Sequence, residues 1–95
     1  MAEDRKNGHR RGSARAIAEL AKRELSELMG KEPESVSSLE RDDDGWRVTL
    51  EFLELERVPN TSDVLASYEA TIDGDGELVE YRRVRRYTRS QSDGM

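Results

Sequence analysis

Val64-Leu65-Ala66-Ser67-Tyr68-Glu69-Ala70-Thr71-Ile72-Asp73-Gly74-Asp75-Gly76-Glu77-Leu78-Val79-Glu80-Tyr81 is the stretch that decides the fold. Val64, Ala66, Tyr68, Ala70 and Ile72 recur at every second position, the period of a strand with one buried face. The Asp-Gly-Asp-Gly that follows is turn chemistry between two apolar runs. Any two-residue turn within Asp73–Gly76 pairs even positions with odd ones, so Val79 and Tyr81 fall on the face of Ala70 and Tyr68. Both apolar sets then share one side, and pattern and turn agree on an antiparallel hairpin. The Asp73-Gly74-Asp75 run is superficially similar to the start of a calcium loop. Its twelfth position would be Val84 and its flanks are strands, so it reads as a plain turn.

Upstream, Trp46, Val48, Leu50 and Phe52 alternate with Arg47, Thr49 and Glu51, and the apolar parity then flips to Leu53 and Leu55. A one-residue bulge would restore a single buried face; burial on both faces at that end is the alternative. Val36 to Arg41 forms a weaker strand, joined through the turn Asp42-Asp43-Asp44-Gly45, and Val58 to Asp63 reads as a loop. Before Pro33 the period is 3.6 instead of 2. Ile17, Leu20, Ala21, Leu25 and Leu28 mark one face of a helix from Ala14 to Met29, with Ser13 as its cap and Gly30 as its stop. The expected fold class is α+β: one N-terminal helix packed on a four-stranded antiparallel meander sheet. Trp46 and Phe52 are expected to pack against Ile17, Leu20 and Leu28. A single domain is expected over residues 13–89, with a disordered basic tail at 1–12 and a disordered C-terminal tail at 90–95.

Composition narrows the chemistry. In 95 residues there is no cysteine, and the single histidine, His9, sits in the Arg/Gly-rich tail. Disulfide frameworks, thiol nucleophiles, zinc clusters and a Ser-His-Asp triad are thereby excluded. No apolar run approaches the roughly 20 residues a membrane helix needs. The carboxylates at Glu51, Glu54 and Glu56 lie on a solvated sheet, unsuited to the desolvation a general acid requires. No enzyme, no cofactor, no metal and no membrane association are expected, and a cytoplasmic location is expected. Charge is uneven along the chain: residues 1–15 carry a net +3, residues 16–81 a net −12 and residues 82–95 a net +4.

Tyr81-Arg82-Arg83-Val84-Arg85-Arg86-Tyr87-Thr88-Arg89 is the strongest local signal. Strict alternation puts Arg83 and Arg85 on the Tyr81/Tyr87 side and Arg82 and Arg86 on the Val84 side. Guanidinium groups among tyrosines suit a protein interface, which makes Arg83, Arg85, Tyr87 and Arg86 the candidate partner-binding residues. The competing reading pairs these arginines across strands with Glu51, Glu54, Glu56 and Glu69, Arg82 with Glu69 in particular, to neutralise an acidic sheet. Single-stranded RNA is a less favoured partner, because the acidic body would repel a long strand.

Asp44-Gly45-Trp46-Arg47-Val48-Thr49 and Glu54-Leu55-Glu56-Arg57-Val58-Pro59 closely resemble the gas vesicle protein O (GvpO) family. The resemblance continues through Asp63-Val64-Leu65-Ala66-Ser67-Tyr68-Glu69, Asp75-Gly76-Glu77-Leu78 and Tyr81-Arg82-Arg83-Val84-Arg85-Arg86-Tyr87. It covers roughly residues 13–89, and the overall form is similar to the short actinobacterial members. The resemblance implies a non-enzymatic accessory protein of gas vesicle formation, binding other gas vesicle proteins such as assembly factors or the shell protein. It brings no catalytic residues or cofactors. A role in regulating gas vesicle gene expression, through RNA or a transcription component, is the alternative that the resemblance leaves open.

Overall fold

Ser13 opens the helix as its side chain predicts: its backbone is extended and its hydroxyl accepts a hydrogen bond from the Ala16 N–H at 3.2 Å. The computed structural model describes residues 13–90. The basic tail expected at 1–12 and residues 91–95 of the C-terminal tail lie outside the described residues. Helix α1 runs Ala14–Met29 and stops at Gly30, whose left-handed φ of 75° lets its N–H return to the Ser26 carbonyl. Strands β1 (Ser35–Asp42), β2 (Gly45–Leu55), β3 (Val64–Ile72) and β4 (Leu78–Thr88) follow, with a short 3-10 turn at Asn60–Ser62. They form one antiparallel sheet in the order β1-β2-β3-β4, the predicted α+β meander.

The core lies between α1 and the middle of the sheet. Ile17, Ala21 and Leu25, four residues apart, are buried against Val48, Leu50 and Phe52 of β2 and Ala70 and Ile72 of β3. Burial of each large aliphatic or aromatic side chain contributes about 1.5–3 kcal/mol before chain entropy is counted. Leu20 and Trp46 pack half-buried on this cluster, and the Arg41 guanidinium lies 4.8 Å from the Trp46 ring centre. Leu28 departs from the expectation, being 55% exposed. α1 packs against β1, β2 and β3, and Leu28, on the flank of its apolar stripe, stands outside the packed core and lines an open cleft with β4.

The turns use their glycines differently. Asp42 pairs directly with Gly45, so the first loop is Asp43-Asp44, with Asp43 at a φ of 57°. Gly45 is buried against the next hairpin, where a Cβ would collide with the Ile72 carbonyl oxygen. In the second turn Gly76 takes a φ of 85°, and the Asp73 carboxylate accepts the N–H groups of Asp75 and Glu77 at 2.9 and 3.0 Å. That loop is longer than the two-residue turn expected, and its leading aspartate is spent on its own backbone.

Four register shifts interrupt the ladder, each an extra residue on one strand: Ser37 in β1, Glu54 in β2, and Val79 and Val84 in β4. The parity flip after Phe52 is therefore a bulge. What it brings to the helix side is a carboxylate, Glu54, while Leu53 pairs with the buried Leu65. The Leu53 carbonyl beside the bulge accepts a hydrogen bond from Lys31 Nζ at 2.6 Å.

Candidate partner-binding surface

β4 carries the sequence signal, and its bulge decides where each side chain goes. Tyr81 pairs with Ala70 and Arg83 with Tyr68; beyond Val84 the pairs become Arg85 with Ser67, Arg86 with Ala66 and Tyr87 with Leu65. Alternation is inverted across Val84. Tyr81, Arg83 and Arg86 share the helix side with Tyr68, whereas Arg82, Arg85 and Tyr87 share the outer face with Glu69 and Ser67. The expectations that Arg83 and Arg85 lie on one face, and Arg82 and Arg86 on the other, are both corrected. Counting by twos fails wherever an extra residue enters the strand.

On the helix side, Glu54 is shared. Its carboxylate accepts from Arg86 Nε at 3.1 Å, from the Tyr68 hydroxyl at 3.2 Å and from Arg83 Nη1 at 3.4 Å. Burial, then the Glu54 charge and hydrogen bond, hold the Tyr68 phenol above its ordinary pKa. Both arginines remain half-exposed, so this is a surface ion-pair cluster, and such pairs are typically worth about 0–1 kcal/mol.

On the outer face, Glu51 is saturated by hydroxyls. Oε2 accepts from Ser37 at 2.5 Å, and Oε1 accepts from Ser67 at 2.7 Å and Tyr87 at 2.5 Å. The bulge at Ser37 brings the first of these donors across the sheet from β1. Burial alone would raise the Glu51 carboxyl, but the three hydroxyl donors and the nearby Arg85 charge outweigh it and hold the pKa below the usual range. Tyr87 is pushed up to about 12, by burial first and then by its bond to Glu51 and that group's charge. The Arg85 guanidinium lies over the Tyr87 ring, 4.2 Å from its centroid. Among the described residues no carboxylate lies within ion-pair distance of Arg85.

The rest of the outer face is ionic. Arg47 meets Glu40 at 2.9 Å, Asp42 at 3.0 Å and Glu69 at 4.0 Å, and Glu69 also takes Arg82 at 3.3 Å, as its pairing role predicts. Beyond β4, Arg89 is held by both Glu34 oxygens, at 3.1 and 2.8 Å, and by Asp63 Oδ2, at 3.1 and 3.2 Å. Asp63 is buried, and its other oxygen accepts the Arg57 N–H at 2.8 Å. This clamp joins the approach to the first strand to the exit of the last. It closes one side of an open polar groove of about 330 Å³, bordered by Ser37, Glu51, Leu65, Arg85 and Tyr87.

The four candidate residues are thus brought together in pairs, Arg83 with Arg86 and Arg85 with Tyr87, on opposite faces of one edge strand. Glu51 stands ionised and fully hydrogen-bonded near neutral pH, which suits it to holding Tyr87 in place and not to donating a proton. The sequence pattern puts Asp63 in a loop and marks neither its buried role nor the hub at Glu51. Both depend on contacts between residues far apart in the chain, and neither leaves a periodic signal. A helix on one face of a four-stranded sheet, with an Arg/Tyr edge strand, defines a small α+β domain that offers charged and aromatic surface instead of a deep cleft.

Residues 1–93 match the family described as gas vesicle synthesis protein GvpO. The chain is 60% identical over 70 residues to "Gas vesicle protein O" of Streptomyces sp. (strain CB03234), covering 74% of this chain and 55% of that protein. It is 35% identical over 69 residues to "Gas vesicle protein O1" of Halobacterium salinarum, covering 73% of this chain and 58% of that one. With "Gas vesicle protein O" of Haloferax mediterranei it shares 36% over 70 residues, 73% of this chain and 50% of that protein. No solved structure matches. The chain belongs to the GvpO family of gas vesicle synthesis proteins, and it spans about half the length of the curated relatives it matches.

Proposed function

We propose that the chain acts in gas vesicle formation as a non-enzymatic accessory protein that binds other gas vesicle proteins through β4. Family membership supports the process. The observation that carries the mode of action is Arg85, an exposed guanidinium pre-oriented on Tyr87, whose ring is itself fixed by Glu51. Holding a rotamer-rich cation in place before binding removes part of the entropy cost of association. A partner carboxylate would complete Arg85 without displacing anything. Arg83 and Arg86 offer a second cationic point on the opposite face.

Replacing Arg83 and Arg85 together by Gln should leave the melting point within a few degrees, because exposed ionic contacts contribute little. In a complementation assay the same variant should lower vesicle yield. Full yield from the double variant overturns the interface and leaves charge neutralisation as the role of these arginines. A pull-down with and without nuclease, repeated across a salt series, distinguishes protein partners from RNA. RNA capture should vanish with nuclease and fall steeply with added salt.

A further inference from the structure

On the helix side of β4, Leu78 packs half-buried on the core, whereas Tyr81, Arg83 and Arg86 further along the strand are exposed. A helix about 10 Å across covers roughly two strands spaced about 4.8 Å apart, and α1 packs on β1, β2 and β3. Core packing nevertheless continues past it. The fully buried Phe52 meets Tyr68 edge-on, with ring centroids 5.5 Å apart, and Tyr68 meets Tyr81 at 6.5 Å. Tyr81 is 40% exposed, and with Val79 (58%), Leu28, Leu78 and the carboxylate-bearing Glu80 it lines an open cleft of about 380 Å³ between α1 and β4. Further along the same strand stand Arg83 and Arg86, two cations sharing the single carboxylate of Glu54.

We propose that this cleft seats an amphipathic helix of another protein, laid alongside α1. Its apolar stripe would cover Leu28, Val79 and Tyr81, and its carboxylates would face Arg83 and Arg86. The inference rests on β4 being the partner surface and names the partner's chemistry. A second copy of this chain docked about an axis near Arg83 and Arg86 fits poorly, since residues close to a two-fold axis meet their own counterparts and these are cations. An extended strand added to the β4 edge also fits poorly, because the bulges at Val79 and Val84 break the ladder such a strand must follow. A helix needs no backbone pairing and packs at about 8–10 Å from its neighbour.

The test uses the full chain in vesicle-producing cells, with p-benzoylphenylalanine in place of Val79, of Arg85 on the outer face, or of Thr71 as a control. The peptides captured on illumination are identified by mass spectrometry. The Val79 position should capture a peptide of another protein with apolar residues three and four apart and carboxylates on one flank. A synthetic copy of that peptide should gain helicity on binding the purified chain. Its affinity should fall at least tenfold with Val79→Glu and with the Arg83→Gln/Arg86→Gln pair, while the melting point of the chain stays put. Capture of a second copy, a peptide without acidic residues, or affinity indifferent to either variant overturns the inference. Capture at Arg85 but not at Val79 also overturns it, yet leaves β4 as the partner surface. No capture at either position removes both readings.

Discussion

Glu51 and Glu54 sit three residues apart on β2, on either side of Phe52, and the chain uses them in opposite ways. Glu51 faces outward, partly buried, and is held by three neutral hydroxyls from β1, β3 and β4. Glu54, turned to the helix side by the bulge, is held by two half-exposed guanidinium groups and one phenol. Hydroxyl donors fix a carboxylate without bringing counter-charges whose desolvation must be offset. Half-exposed arginine side chains around one carboxylate form a cluster that another acid can enter. The first arrangement is suited to tying strands together, the second to exchange with a partner.

Phe52 sets the scale for breaking this contrast. Phe52→Ala removes a fully buried ring between the two carboxylates and should cost about 3–5 kcal/mol, most of the stability of so small a domain. A urea titration measures it. Glu51→Ala should cost about 2 kcal/mol by removing the acceptor shared by three hydroxyls. Glu54→Ala should stay within about 1 kcal/mol. Equal losses from the two changes would erase the distinction.

Within the Glu51 hub, the phenol and the carboxylate respond to pH with opposite signs. Tyr87 is raised to about 12 in the folded chain, above an unfolded value of about 10. Its contribution is therefore fully present below about pH 10 and is lost as pH rises toward about 12. Denaturant midpoints measured from pH 9 to 12 should fall less steeply for Tyr87→Phe. Glu51 has the reverse sign. Its lowered pKa contributes stability above the ordinary carboxylate range, lost as the solution is acidified, and Glu51→Gln should flatten that limb. The smallest expected effect is ionic. Arg82→Gln should change stability by less than about 1 kcal/mol, and added salt should shrink even that, because its pair with Glu69 is exposed.

The period-2 runs of β2 and β3, the 3.6-residue stripe of α1, the Ser13 and Gly30 caps and the Asp/Gly turns were all legible, because each is a local regularity. Legibility ended at the bulges. Nothing in Arg82-Arg83-Val84-Arg85-Arg86 marks Val84 as the extra residue, so strict alternation groups the arginines in pairs that the structure separates. Leu28 is exposed for a different reason: periodicity gives the direction of a stripe but not how many strands lie beneath it. The network of Glu51 and the burial of Asp63 belong to tertiary structure, where a seryl or aspartyl side chain takes its role from whatever the sheet carries past it.

The clamp of Arg89 on Glu34 has a consequence for the order in which the chain folds. In this meander each strand pairs with its neighbour in sequence, so most loops that must close are short. Arg89 and Glu34 are 55 residues apart, and their contact waits until all four strands are aligned. Such a contact belongs on the native side of the folding barrier. It should then act as a latch that slows opening without hastening assembly. With Glu34→Gln the unfolding arm of a chevron should rise while the folding arm stays unchanged; a slowed folding arm would place the contact in the nucleus instead.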